Sequence, residues 1–493
     1  MKAILILMDT LNRHMLKAYN PKAEAITPNI DRLAGKSFVF DNHFIGSAPC
    51  MPARRDIQTG RLNFLERGWG PIEPWDCTLP ALLKKRGIFS HIVTDHCHYA
   101  EVGGEGYMQQ YDTWELIRGQ ETDTWASQIK EPPYPQKYLG TVTRQYQCNR
   151  SCFKTDADFP TPKTFAAAVQ WLQKNEGCED FFLTVETFDP HEPFDSTGEF
   201  QAMYPDSFKC HYNWPRYSAL NAEETPEAIL HLRNQYYAAL SMADKWLGKL
   251  LDEFDRQNLW EDTLIIFTSD HGHMLGEHSV TGKNRYHAWN EMARIPLFIH
   301  TPGMAQGNVR KTCLTQNIDL FPTVLELSGQ TDFGETTRKI HGKSLWPVLC
   351  GKARGVRDYA IYGWFGMPVN ITDGTYTYFR AAVKGNSPLY AYMGIPVSYH
   401  TYLGYGMGEE NFSAGRFLGD IDMPLYRMKV VTKQDDVYLD IGESKLYNIR
   451  KDPGQMHPIE DKCLEDKLCR ELIRALEAHD APKEQYERLN LHI

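Results

Sequence analysis

The chain has no long apolar run. Its opening stretch, Ala3-Ile4-Leu5-Ile6-Leu7-Met8, gives six apolar residues before Asp9. That is too short for a leader peptide's core and far short of the ~20 residues that span a bilayer. No later run is long enough either, so no membrane partner is expected and the chain reads as cytoplasmic. It also has no long basic run, and its formal net charge is -10. A nucleic-acid partner is therefore not expected, because phosphates demand a concentrated positive field. A small anionic substrate stays open, since a local basic cluster can sit inside an acidic protein. The eleven cysteines show neither metal-finger spacing nor a small-domain disulfide framework, and they read as mostly reduced and buried. Internal repeats are absent. What is present is an ordinary globular composition, 42% hydrophobic and 24% charged over 493 residues. That length exceeds one domain of ~100–200 residues and suggests two units.

Short apolar runs at Ala3–Met8, Phe89–Thr94, Phe181–Glu186, Leu264–Thr268 and Pro296–His300 read as buried strands. Helical signals lie between them. Thr161-Pro162 offers an N-cap and N1 proline for a helix through Phe165–Asn175. Thr225-Pro226 opens a longer helix, with Ile229, Leu232, Tyr236, Leu240, Ala243, Leu247, Leu250 and Phe254 on one stripe. This alternation predicts an α/β fold with a large, mostly parallel sheet covered by helices on both faces. After about residue 350 the pattern changes. Asp358–Tyr362, Val369–Arg380 and Asp436–Tyr447 are strand-like and Leu464–His479 is helical, which predicts a smaller antiparallel sheet with one helix. The expected division is a catalytic domain over 1–355 and a subdomain over 356–493 that completes the substrate pocket.

The strands end in polar residues: Asp9, then Asp95-His96, then His191 shortly after the third strand, then Asp270-His271. In an open parallel sheet these ends share one edge, where ligands bind. One such Asp is commonly only a turn or helix cap. Four clusters converging are harder to explain by capping. Asp9, Asp270 and His271 suit a divalent cation, the imidazole shifting preference from Ca2+ toward Mn2+, Fe2+ or Zn2+. In Cys50-Met51-Pro52-Ala53-Arg54 through Thr59-Gly60, Pro52 suits the first turn of a helix and Gly60 its end. Cys50 then lies at a helix N-terminus that favours anions, with Arg54 one turn on. A plain thiol there is expected to be acidified and nucleophilic, although a buried cysteine before a capped helix has the same pattern.

Cys50-x-Pro-x-Arg54 followed by Thr59-Gly60 resembles the signature of the type I sulfatases of the alkaline phosphatase superfamily. The resemblance continues through Thr27-Pro28-Asn29-Ile30-Asp31, Asp189-Pro190-His191-Glu192-Pro193, Thr268-Ser269-Asp270-His271-Gly272, Leu275-Gly276-Glu277-His278, Gly282-Lys283, Arg294-Ile295-Pro296-Leu297 and Asp319-Leu320-Phe321-Pro322-Thr323. It implies a fold like alkaline phosphatase and hydrolysis of a sulfate ester, on a sugar or glycan fragment. It also implies that a separate formylglycine-generating enzyme oxidises Cys50 to Cα-formylglycine. By the same resemblance Asp9, Cys50, Asp270 and His271 bind one divalent metal, Ca2+ by family default. Arg54 holds the formylglycine hydrate, while Lys283 and His191 grip the sulfate and assist the leaving oxygen, with His191 as general acid.

Three departures stand out. Asp9-Thr10 replaces a common Asp-Asp pair, and Asp270-His271 replaces Asp-Asn. Both resemble the related phosphonate and phosphate monoester hydrolases, which makes such a hydrolase the alternative activity. The usual Lys-x-His is replaced by His96-Cys97-His98, where the two histidines are candidate sulfate ligand and base. A segment extended there turns both to one face. His273, His278, Arg285 and His287 are candidate readers of substrate hydroxyls, and Trp364, Tyr376, Tyr378, Tyr399 and Tyr402 candidate walls for a sugar ring. A non-catalytic glycan-binding relative is the alternative of another class, and the retained Cys50, Arg54, His191 and Lys283 speak against it.

Overall fold

The computed structural model describes residues 1–283, 287–329, 336, 338–398, 401–403, 411–430 and 443–491. Its centre is an eight-stranded sheet. In chain order the strands are β1 (Lys2–Met8), β2 (Phe38–Phe44), β3 (Phe89–Thr94), β4 (Thr113–Leu116), β5 (Phe181–Thr187), β6 (Thr263–Thr268), β7 (Leu297–His300) and β8 (Val309–Gln316). They lie side by side as β8-β2-β7-β6-β1-β5-β3-β4. Only β7 runs antiparallel to both neighbours, so the expected large, mostly parallel sheet is borne out.

β1 is apolar on both faces because both faces are covered. Ile4, Ile6 and Met8 pack with Leu232, Tyr236 and Leu240 of the helix Pro226–Arg256. Ala3, Leu5 and Leu7 face the opposite layer, with Phe321 and Leu345. The expected start of that long helix is present, with the Thr225 hydroxyl accepting from the Ala228 N–H. The helix expected from Thr161-Pro162 begins instead at Pro160 and runs to Lys174. Thr161 does not cap it, because its hydroxyl donates to Asp95 Oδ2 at 2.7 Å and accepts from the Asp189 N–H at 3.1 Å. A tertiary demand has taken the side chain that the local pattern reserves for a cap.

Register places the chemistry. Leu7 is level with Glu186 on β5 and Thr268 on β6, and Thr94 of β3 is level with Glu186. The carboxyl ends of these four strands therefore lie side by side, and Asp9, Asp95, Glu186 and Asp270 meet at one edge. A second sheet has the order Lys445–Asn448, Tyr376–Arg380, Val369–Thr372, Ala360–Trp364, Ser47–Ala48. Its first three pairings are antiparallel. The last is parallel, Gly363 opposite Ser47 and Trp364 opposite Ala48, so it recruits the two residues just upstream of Pro49 and Cys50. The expected strand Val369–Arg380 is a hairpin turning at 373–375, and residues 436–442 of the expected Asp436–Tyr447 strand lie outside the described residues. Helix Lys462–Ala478 packs Leu468, Leu472 and Leu476 against Ile361, Val369 and Ile371. Among the described residues, no helix is long and apolar enough to cross a membrane.

Candidate active site

Asp9 ends β1 at a sharp turn. Thr10 is held at φ 62°, its N–H donating to Asp270 Oδ1 at 3.0 Å and its carbonyl accepting from the Tyr236 hydroxyl at 2.9 Å. A threonine in the left-handed region is costly and persists only where its surroundings over-determine it. Cys50 opens the helix Cys50–Thr59, which stops at Gly60 with φ 66°. A Cβ on Gly60 would meet Phe321 at 2.9 Å, so both backbone and packing require glycine. The sulfur of Cys50 lies 3.2 Å from His271 Nε2, 3.4 Å from Lys283 Nζ and 3.9 Å from Asp9 Oδ1. One ligand atom each from Asp9, Cys50, Asp270 and His271 falls within 4.8 Å of every other.

Arg54 is the structural centre. Its guanidinium donates to Asp9 Oδ2 at 2.8 Å, Asp270 Oδ2 at 2.6 Å and Glu186 Oε1 at 2.8 Å, and to the Cys50 carbonyl at 3.1 Å. Glu186 also accepts from the Tyr99 hydroxyl at 3.1 Å. Sequence reasoning missed Glu186, although a carboxylate closing an apolar strand is the signal that singled out Asp9. Lys283 Nζ lies in close contact with His191 Nε2 and 3.3 Å from the Thr10 hydroxyl. The Nδ1–H of His191 donates to the Glu192 carbonyl at 2.6 Å, and its ring stacks on Phe188. That bond fixes the tautomer, so Nε2 presents its lone pair to Lys283.

Burial sets the protonation states. It opposes charge on Lys283, yet the carboxylates of Glu192, Asp9 and Asp270 outweigh it and lift the ammonium above its ordinary range. It disfavours ionised Asp9 too, but Arg54 and Lys283 more than compensate and keep it a carboxylate. Burial pushes His191 and His96 well below the ordinary range, and His271 below it, so all three are neutral imidazoles. At Cys50 burial, reinforced by Asp9, raises the thiol well above its usual value. The acidified thiol expected from the helix N-terminus alone is therefore corrected. The interior and the adjacent carboxylate dominate, and the unmodified side chain is a neutral thiol.

The remaining candidates separate. His96 lies 3.6 Å from Asp9 Oδ2 with both ring nitrogens buried and, among the described residues, without a hydrogen-bond partner. The segment after it is a 3-10 turn, Cys97–Ala100, not the extended run expected. His98 still touches the His96 ring at 5.1 Å, but its nitrogens lie at Glu101 and Glu121. His273 sits behind the site, 3.2 Å from Glu192 Oε2. His287 stacks on Phe379, and His278 on Trp289, in a ring cluster beneath the second sheet. Trp364 is buried in that cluster, Tyr378 is buried under the terminal helix, and Tyr402 is exposed. Arg285 and Tyr399 lie outside the described residues.

The Sulfatase family model matches residues 2–330. The chain is 28% identical over 389 residues to the multifunctional alkaline phosphatase superfamily protein PehA of Trinickia caryophylli, covering 68% of this chain and 74% of that one. It is 28% identical over 404 residues to iduronate 2-sulfatase of Homo sapiens, covering 72% and 69%. The phosphonate monoester hydrolase of Agrobacterium radiobacter superposes with a TM-score of 0.68 over 97% of this chain and 96% of that one, at 19% identity, a likeness of fold. With the family matched across two strand-end carboxylate clusters and the Cys50 helix, this chain belongs to the sulfatase family and is a sulfuric ester hydrolase of the alkaline phosphatase superfamily.

Proposed function

We propose that this enzyme removes a sulfate ester from a sugar or glycan fragment, using Cys50 after its conversion to formylglycine by a separate maturation enzyme. The observation that carries the reading is the position of the Cys50 side chain, between the Asp9–Asp270–His271 donors on one side and Lys283–His191 on the other. The donor set fits a divalent metal: two buried carboxylates, a neutral imidazole and the side chain of residue 50 converge, as a hard or borderline cation requires. Such an ion, Ca2+ or, with His271 among its donors, Mn2+, supplies Lewis acidity at the nucleophile. Matured Cys50 supplies an aldehyde hydrate, one hydroxyl for attack and a second whose deprotonation expels sulfate.

The other residues act as follows. Arg54, held by Asp9, Asp270 and Glu186, fixes the first turn of its helix and the orientation of residue 50. Lys283 offsets charge on the transferring sulfuryl group. Its proton is shared with His191 Nε2, so the pair, rather than an independently protonated His191, delivers the proton to the leaving oxygen. Neutral His96, with no competing hydrogen bond among the described residues, offers a ring nitrogen to the sulfate. His98 backs the His96 ring. His273 is a positioning residue acting through Glu192. The described part of the subdomain over 356–493 closes one side of the site, a reading supported by the pairing of Trp364 with Ala48.

The test begins with the Cys50 peptide of protein made alongside a formylglycine-generating enzyme. A mass about 18 Da below the thiol form is expected for this modification. Matured protein should then turn over an aryl sulfate faster than a matched phosphonate monoester. An unmodified thiol in active enzyme overturns the nucleophile. A phosphonate preference favours the second activity, for which the Asp270-His271 pair is the specific observation.

A further inference from the structure

We propose that Cys97, His98 and Glu121 form a second metal site, for a zinc-class divalent ion, separate from the Asp9–Asp270–His271 set. Their ligand atoms all lie within 4.8 Å of one another. Cys97 Sγ is 3.8 Å from Glu121 Oε2, and His98 Nε2 is 3.6 Å from the same oxygen. With metal–sulfur bonds of about 2.3 Å and metal–nitrogen or metal–oxygen bonds of about 2.0 Å, tetrahedral ligands stand roughly 3.3–3.6 Å apart. The cluster is thus pre-assembled to within a few tenths of an ångström at the two measured edges.

A second observation points the same way. Glu101 Oε2 lies 3.0 Å from His98 Nδ1. A carboxylate on one imidazole nitrogen fixes the tautomer and aims the other nitrogen's lone pair, the arrangement that orients histidine ligands in metal sites. Here the aimed nitrogen is Nε2, the one facing Glu121. The ring is also held by the edge of Trp69 at 4.9 Å and by His96 at 5.1 Å. Cys97 and His98 are buried, whereas the Glu121 side chain is 17% exposed and leaves an entry path. Burial, reinforced by Glu121, Glu101, Asp123 and Asp95, raises the Cys97 thiol well above its usual range, and a cation bound among these carboxyl groups would offset that penalty. The sulfur–nitrogen–oxygen donor set selects Zn2+ or Co2+ over Ca2+. On binding, the Cys97 thiol and the Glu121 carboxyl, which burial lifts to about 7, release their protons to solvent, so thiolate and carboxylate together balance the ion's two charges. An ion here ties the His96-His98 turn to the segment carrying Glu121. It holds His96 against Asp9 and commits His98 Nε2 to metal rather than to substrate.

The test is Co2+ titration of the metal-free full-length chain, read by the thiolate-to-cobalt charge-transfer absorption in the near ultraviolet. Cys50→Ala removes sulfur from the catalytic set, so a band retained in this variant is expected and must come from elsewhere. Adding Cys97→Ser to the Cys50→Ala variant should abolish it, and Glu101→Gln in the same background should weaken Co2+ binding by ~10–100-fold. Should Cys97→Ser not fold, Glu121→Gln serves in its place, with at least a tenfold loss of affinity expected. No band in Cys50→Ala, a band that survives the added Cys97→Ser, or unchanged affinity in Glu121→Gln overturns the site.

Discussion

The helices Cys50–Thr59 and Lys462–Ala478 are built on opposite plans. Every residue of the first is buried, including Arg54, Arg55 and Asp56. The second is longer and buries only Leu468, Leu472 and Leu476. In the first, each charge has a dedicated partner. Arg54 has three carboxylates, Arg55 pairs with Asp76 at 2.6 Å, and Asp56 accepts from Ser47 and Asn63. The second needs no such partners, because an apolar stripe at helical spacing meets the back of a sheet. A helix that must present chemistry inside a protein takes its place from distant polar partners. A helix that only closes a core takes it from its own periodicity.

Substitutions on the two helices should separate the plans. Arg54→Ala leaves Asp9, Asp270 and Glu186 facing one another in the interior. It should cost about 3–5 kcal/mol in urea unfolding, the usual range for breaking a buried ion pair, and lower kcat at least ~100-fold. Normal activity with normal stability would erase the distinction. Asp56 gives a pH signature. Burial lifts its folded pKa from 3.8 to about 7, so the folded state holds this proton more tightly than the unfolded chain. The resulting stabilisation is complete below about pH 4 and is lost as pH rises through about 7. The stability of the native chain relative to Asp56→Asn should therefore fall by on the order of 4 kcal/mol across that window. A difference that stays flat there would show that the surrounding donors hold the carboxylate ionised.

On the second helix, Leu472→Ala should cost ~2–5 kcal/mol by creating a cavity, with kcat unchanged while the protein stays folded. A parallel loss of kcat would mean that this helix reaches the chemistry after all. The smallest effect belongs to Lys462→Ala, which removes an exposed i,i+4 pair with Asp466 at 2.8 Å. Thermal unfolding should register no more than ~0.5 kcal/mol.

Much of the site could be read from the chain because it is built at strand ends. The run Ala3–Met8 closing at Asp9, and Leu264–Thr268 followed by Asp270-His271, reveal both the strands and the candidate ligands, and parallel order brings the ends together. Cys50, Pro52 and Gly60 likewise mark the helix locally. The legible features rest on neighbours within a few residues.

What the sequence determined was therefore the family, the mostly parallel sheet and the residues that end its strands. Only the tertiary structure decided their partners. It placed Glu186 on Arg54, withdrew Thr161 from its cap toward Asp95 and paired Ser47–Ala48 with a strand more than 300 residues later. It also turned His98 to Glu101 and laid His287 against Phe379. Each of these depends on register and burial between elements far apart in the chain. A hydrogen bond or buried charge is fixed by whatever the fold brings within about 3 Å, and no local periodicity encodes that distance.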